Sequence, residues 1–241
     1  MIRILTAYAD LMNQYGEYAA LRVLRARLEA AGEQVEIDGF SFGDTPSLEN
    51  CDLLYCPAGT ELSMLAARAD ARRLEDKLTD YFERGGLALC TGNAMGLFAK
   101  TVRRTDGEKC EGIGWLDCEL RLLPGRRYTE LLAQSGVLSG ELVGSINSSM
   151  QVESREEPLF EVLFDASGAL GAPFEGMKRQ NLLATQMTGP LLVRNPFALD
   201  DLCERLCGHA LPECTESWYA YAVAGWKNAV DTLKKESGKQ G

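Results

Sequence analysis

The feature that most constrains this chain is the alternation, through its first hundred residues, of short apolar runs with longer runs of helical period. Ile2 to Tyr8 predicts a strand. From Tyr18 to Ala31 apolar residues recur at Leu21, Leu24, Leu28 and Ala31, the three-and-four spacing of one helix face, and Gly32 ends the run. Gln34 to Ile37 and Asp52 to Cys56 read as the next strands, the second broken by Pro57-Ala58-Gly59. A long helix from about Glu61 to Glu83 closes at Gly85-Gly86, Leu87 to Cys90 is a further strand, and a new helix is expected just past Gly92, with Ala94, Met95, Leu97 and Phe98. Strands laid down in one direction with helical crossovers pair in parallel and are covered on both faces. The expectation is therefore α/β, a flavodoxin-like three-layer sandwich with a mostly parallel sheet.

The character shifts after Gly112. Leu116 to Leu123 and Arg127 to Ala133 read as an antiparallel pair with Pro124-Gly125 as the turn, and Glu141 to Ile146, Leu159 to Phe164 and Asn181 to Gln186 continue the strands. Helices are expected from about Pro196 to Cys207 and from Trp218 to Lys235, before a polar tail, Gly238-Lys239-Gln240-Gly241. With 241 residues, 46% of them hydrophobic, the chain can bury one large core. A formal net charge of −10 argues against unspecific binding to nucleic acid. The N-terminus lacks a secretory pattern, no window holds the ~18 apolar residues of a membrane span, and the eight scattered cysteines fit a reduced, cytoplasmic setting.

The segment Gly86-Leu87-Ala88-Leu89-Cys90-Thr91-Gly92 has the form of a nucleophile elbow: a cysteine between a buried strand and a helix, with small residues two before and two after it. There a helix N-terminus favours thiolate. The amide of Thr91 and one from Ala58 or Gly59 would make an oxyanion hole. The competing expectation is that Cys90 is a small apolar residue ending a buried strand. A phosphate loop fits less well, because no Gly-Lys-Ser/Thr follows.

Several ordered segments resemble class I glutamine amidotransferase domains of the cobyric acid synthase/GatD type. Met12-Asn13-Gln14-Tyr15-Gly16-Glu17 is similar to the loop before the family's first helix, Cys51 to Gly59 to the strand leading to its oxyanion glycines, and Leu89-Cys90-Thr91-Gly92 to its nucleophile motif. Glu111-Gly112-Ile113-Gly114-Trp115-Leu116-Asp117 resembles its "EGLGxLD" segment, and Leu183 to Pro190 the strand ending in the catalytic histidine and "GP". The resemblance implies a glutamine amidotransferase-like domain over residues 1–208, with 209–241 a helical extension and polar tail. It implies glutamine or another small molecule as ligand, a Mur ligase-like or other ATP-using synthetase as partner, and no cofactor.

The resemblance also locates departures. The histidine position falls on Thr188, which cannot serve as a base near neutral pH. The glutamine four residues after the nucleophile is Ala94, and the polar residues after the oxyanion glycines become Leu62, Ser63 and Met64. His209, the one histidine, follows a helix that carries the chain roughly 15 Å away from the elbow. The leading expectation is a degenerate domain, a pseudoenzyme acting as a binding or regulatory subunit. The alternative is an active glutaminase passing ammonia from a Cys90 thioester to amidation of a cell-wall precursor or a cobyrinic acid-like substrate. Cys203, Cys207, His209 and Cys214 offer four zinc-type ligands, but Cys203 and Cys207, four apart, equally suit the buried face of a helix, and no metal is expected. Trp218, Tyr219, Tyr221 and Trp226 are expected to dock the last helix on its own domain.

Overall fold

The structure, a computed structural model, describes residues 1–240. Its elements run β1 (Ile2–Ala7), α1 (Tyr18–Ala30), β2 (Val35–Phe40), β3 (Leu53–Cys56), α2 (Glu61–Ala71), α3 (Glu75–Glu83), β4 (Leu87–Cys90), β5 (Ala99–Arg103), β6 (Lys109–Glu111), β7 (Leu116–Gln134) and β8 (Leu142–Ser154). There follow β9 (Phe160–Asp165), β10 (Phe174–Glu175), β11 (Met177–Arg179), β12 (Leu182–Ala184), α4 (Leu191–Arg194), α5 (Pro196–Cys207) and α6 (Ser217–Gln240). One sheet has the order β11-β12-β4-β3-β1-β2, parallel except for the edge strand β11. This is the flavodoxin-like order expected, with a second, mostly antiparallel sheet, β10-β9-β7-β5-β6 with β8 on β7, added beside it.

Alternation along the buried strands sorts their side chains into two cores. Leu53, Tyr55, Leu89 and Leu183 face α1 and α5, packing with Leu21, Leu24, Leu28, Leu199 and Leu202. Leu54, Cys56, Ala88, Cys90, Leu182 and Ala184 face the other layer, with Met64 and Ala67 of α2 and Leu78 and Phe82 of α3. Thr60 caps α2 by accepting the Ser63 amide at 2.9 Å, and Pro196 opens α5, which Gly208 closes at φ 73°.

Four expectations need correction. The long helix is two, α2 and α3, joined by a 3₁₀ turn at Arg72–Leu74. The segment after Gly92 is not an α-helix but a 3₁₀ turn, Gly92–Leu97, that runs straight into β5. Pro124-Gly125 is not a hairpin turn: β7 is continuous through it, and the register with β8 shifts between Leu122 and Arg127. A bulge uses the same residue types as a turn, and here it lets one strand line both cores, Leu116 to Leu122 on the α2–α3 side and Leu131 and Ala133 on the α1–α5 side. Last, α6 continues through Gly238, Lys239 and Gln240 where a polar tail was expected; Gly241 lies outside the described residues.

α6 lies on the second sheet. Val230 and Leu233 pack on Leu132, Val143 and Phe164, Trp226 stacks edge-on with Phe197 and donates its indole N–H to the Glu141 carbonyl, and Tyr219 bonds Asp200. Trp218 joins the α1–α5 core, whereas Tyr221 is exposed. No helix among the described residues is long and apolar enough to cross a membrane.

Candidate functional site

The C-terminal ends of β3 and β4 meet the start of α2, the bulged part of β7 and the middle of β8 in a cleft. Tyr15, Ala58, Gly59, Glu61, Gly92, Asn93, Arg126, Asn147 and Thr188 lie on its walls. Thr188 is brought there by a bridge to Ser145 of β8, its amide bonding the Ser145 carbonyl at 2.9 Å. Of the residues expected at the site, Ala58, Gly59 and Thr188 line the cleft and Thr91 lies buried behind it.

Cys90 does not. The parity that sends Leu89 to the α1–α5 core sends Cys90 to the opposite one, where it has no exposed surface and lies beside Cys56, its register partner on β3. Burial, reinforced by Cys90, holds the Cys56 thiol well above its ordinary value. The position that does face the cleft is Gly92. Its φ of 57° is the left-handed conformation that throws a side chain out of a sharp turn, and a Cβ there would lie 2.6 Å from the Ala58 Cβ and 2.9 Å from Thr188 Cγ2. Two small residues, Cys90 and Gly92, stand either side of Thr91; the expectation placed the apex two residues too early. The six-residue 3₁₀ turn also removes the α-helix N-terminus that was to favour a thiolate.

Thr188 presents its methyl to Gly92, because its hydroxyl donates to the Ser145 carbonyl at 3.3 Å. Two of the three candidate oxyanion donors, the Thr91 and Gly59 amides, are spent internally. The Thr91 amide donates to the Cys56 carbonyl at 3.0 Å. The Gly59 amide donates to Asn93 Oδ1 at 3.0 Å while Asn93 Nδ2 returns a bond to the Gly59 carbonyl at 2.8 Å, so one carboxamide closes the turn after β3. Ala94 is buried in the core, out of the cleft, and His209 is exposed beside Glu33, just before β2 at the opposite ends of the strands.

The sequence reading missed the polar groups across the cleft. Arg126 pairs with Glu61 at 3.0 Å and also donates to the Tyr15 hydroxyl, the Asn147 carbonyl and Asn147 Oδ1. Ser149 donates to Glu61, and these bonds, together with Arg126, hold the Glu61 carboxyl below its ordinary value against the opposing effect of its burial. Beneath the turn, Glu17 is wholly buried and accepts the hydroxyls of Tyr55 and Thr91. Burial raises its pKa against those bonds. Glu17 stood in a quoted segment, but nothing local marks it as buried; Arg126 had no signal beyond its place after Pro124-Gly125. The cleft keeps about 10 Å³ of free space, on the order of one water. That is too little for a ligand of glutamine's size. A wider hollow of about 670 Å³ lies at the other ends of the strands, near Cys51, Arg84 and Asn181, away from the turn.

Residues 3–196 match the CobB/CobQ-like glutamine amidotransferase domain family. Among similar proteins, the lipid II isoglutaminyl synthase (glutamine-hydrolyzing) subunit GatD of Staphylococcus aureus is 25% identical over 201 residues, covering 83% of this chain and 82% of that protein. The subunit of the same description from Streptococcus pneumoniae is 20% identical over 197 residues, covering 80% and 76%. A crystal structure of a glutamine amidotransferase matches with a TM-score of 0.56 at 18% identity, over 85% of this chain and 98% of that one, a likeness of fold. With most of its length matched, and with the parallel sheet and its cleft in place, this chain belongs to the CobB/CobQ-like glutamine amidotransferase domain family.

Proposed function

We propose that this chain is a GatD-like subunit that has lost glutamine hydrolysis. It acts in the cytoplasm as the binding or regulatory subunit of a Mur ligase-like or other ATP-using synthetase that amidates a cell-wall precursor. The observation that carries the reading is the glycine at the apex of the turn. Hydrolysis through a glutamyl thioester needs a sulfur that reaches the amide carbon and a base that takes its proton. At the apex stands Gly92, across from it the methyl of Thr188, and the thiol two residues before it, Cys90, points into the core. The cleft retains a paired guanidinium and carboxylate, Arg126 and Glu61, whose charges complement the two ends of an amino-acid zwitterion. Binding glutamine or a similar small molecule without cleaving it is compatible with that chemistry.

The test is glutamate release from glutamine by the purified chain, alone and with the ligase encoded beside it, for the unaltered protein and for Cys90→Ala. The expected result is no release above the blank in either form, with the ligase still bound. Turnover that depends on Cys90 would overturn the proposal.

A further inference from the structure

We propose that Glu33, Cys207 and His209 form a binding site for a zinc-class divalent cation at the end of the parallel sheet opposite the cleft. Their ligand atoms all lie within 4.8 Å of one another. A tetrahedral zinc with bonds of the usual length holds its ligands about 3.3–3.8 Å apart, so small rotations of three surface side chains would close the set. A thiolate, an imidazole and a carboxylate are a zinc-type donor combination, and three protein ligands leave a fourth position for water or for a group from a partner.

The backbone prepares the site. Cys207 ends α5, Gly208 reverses the chain at φ 73°, and His209 follows at once, so two ligands come from one tight cap. The carbonyl-rich end of a helix favours a cation. Glu33 comes from a separate segment, the corner between α1 and β2, where its amide bonds the Leu28 carbonyl at 3.0 Å. The imidazole is oriented as ligating histidines are: Nδ1 lies 3.1 Å from the Ala210 carbonyl, an acceptor for its N–H, and Nε2 lies 3.5 Å from Glu33 Oε1. A simple ion pair would account for Glu33 and His209 but not for the half-buried Cys207 sulfur converging on the same point.

This is not the set that sequence spacing suggested. Cys203 is buried in the α1–α5 core one turn earlier on α5, and Cys214 stands outside the group. Glu33, far away in sequence, takes their place. A bound ion would staple the end of α5 to the α1–β2 corner, and its binding would release the Cys207 thiol proton and any proton on His209 Nε2, while Nδ1 keeps its own toward the Ala210 carbonyl.

Cobalt(II) gives the test, because thiolate ligation produces a charge-transfer band that water or carboxylate ligation does not. The full chain, reduced and freed of metal, is titrated with Co²⁺ in mildly alkaline buffer. The expected result is a thiolate band saturating at one equivalent and displaced by Zn²⁺, absent in Cys207→Ser and unchanged in Cys214→Ser. His209→Ala and Glu33→Gln, both surface changes that leave the fold intact, should weaken binding by at least the ~10-fold that even an outer-shell change costs. No band at one equivalent, or one that persists undiminished in Cys207→Ser or His209→Ala, would overturn the proposal.

Discussion

A nucleophile at a strand-to-helix turn works because strained backbone throws its side chain clear of the sheet. Here the left-handed conformation falls on Gly92, which adopts it without strain and has no side chain to be thrown, and the residues around it hold the turn together. Asn93 is the plainest case. Its carboxamide makes both hydrogen bonds to the Gly59 backbone, so Asn93→Ala should lower stability by about 1–2 kcal/mol, read from urea unfolding. Beside the Thr188 segment, Glu175 accepts the Thr185 hydroxyl and the Gln186 amide. Burial nevertheless pushes its carboxyl from 4.5 up to about 7. A group held protonated more tightly when folded than when unfolded contributes fully below its ordinary pKa and loses that contribution as pH rises through the folded value. Glu175 should thus make stability decline between about pH 4.5 and pH 7, and Glu175→Gln should flatten the decline. Urea midpoints across that range decide it; equal slopes in the two proteins would mean that Glu175 is ionised in the folded state.

At the scale of elements, the 3₁₀ turn and the two strands after it depend on one buried cation. The Arg68 guanidinium, fixed on α2, donates to the carbonyls of Gly96, Ala99, Lys100 and Cys110. No carboxylate among the described residues pairs with it, and burial lowers its pKa to about 10. A Cβ at Gly112 would run into the guanidinium, which gives the Glu111-Gly112 segment a packing reason for its glycine. Arg68→Leu would remove this donor from four carbonyls, of which Lys100 keeps the Gly112 amide, and should cost about 3–5 kcal/mol, measured by chemical denaturation. The same layer explains why no α-helix follows β4: Gly96 packs on the Met64 side chain and the chain must turn at once into β5, which pairs with β7.

At the scale of the whole molecule, α6 closes the open face of the second sheet. Trp226 is its anchor, half-buried against Phe197 and bonded to Glu141, with Lys234 paired to Glu141 a little over two turns on. Trp226→Ala should cost about 2 kcal/mol, less than for a fully buried tryptophan, visible as a lower denaturation midpoint. That α6 would be helical and dock on its own domain was expected from its aromatic residues, and the parallel sheet was legible in the βα alternation. Local period and local stereochemistry suffice for element type, and these act within a few residues. The sequence by itself therefore determined an α/β chain and a glutamine amidotransferase ancestry. Only tertiary structure decided that β7 passes through Pro124-Gly125 to serve both cores, and that Cys90 faces inward while Gly92 takes the apex. The physical reason is parity and register: in a strand each residue changes face, so which layer covers which face, and where the turn begins, settle whether a thiol meets substrate or core.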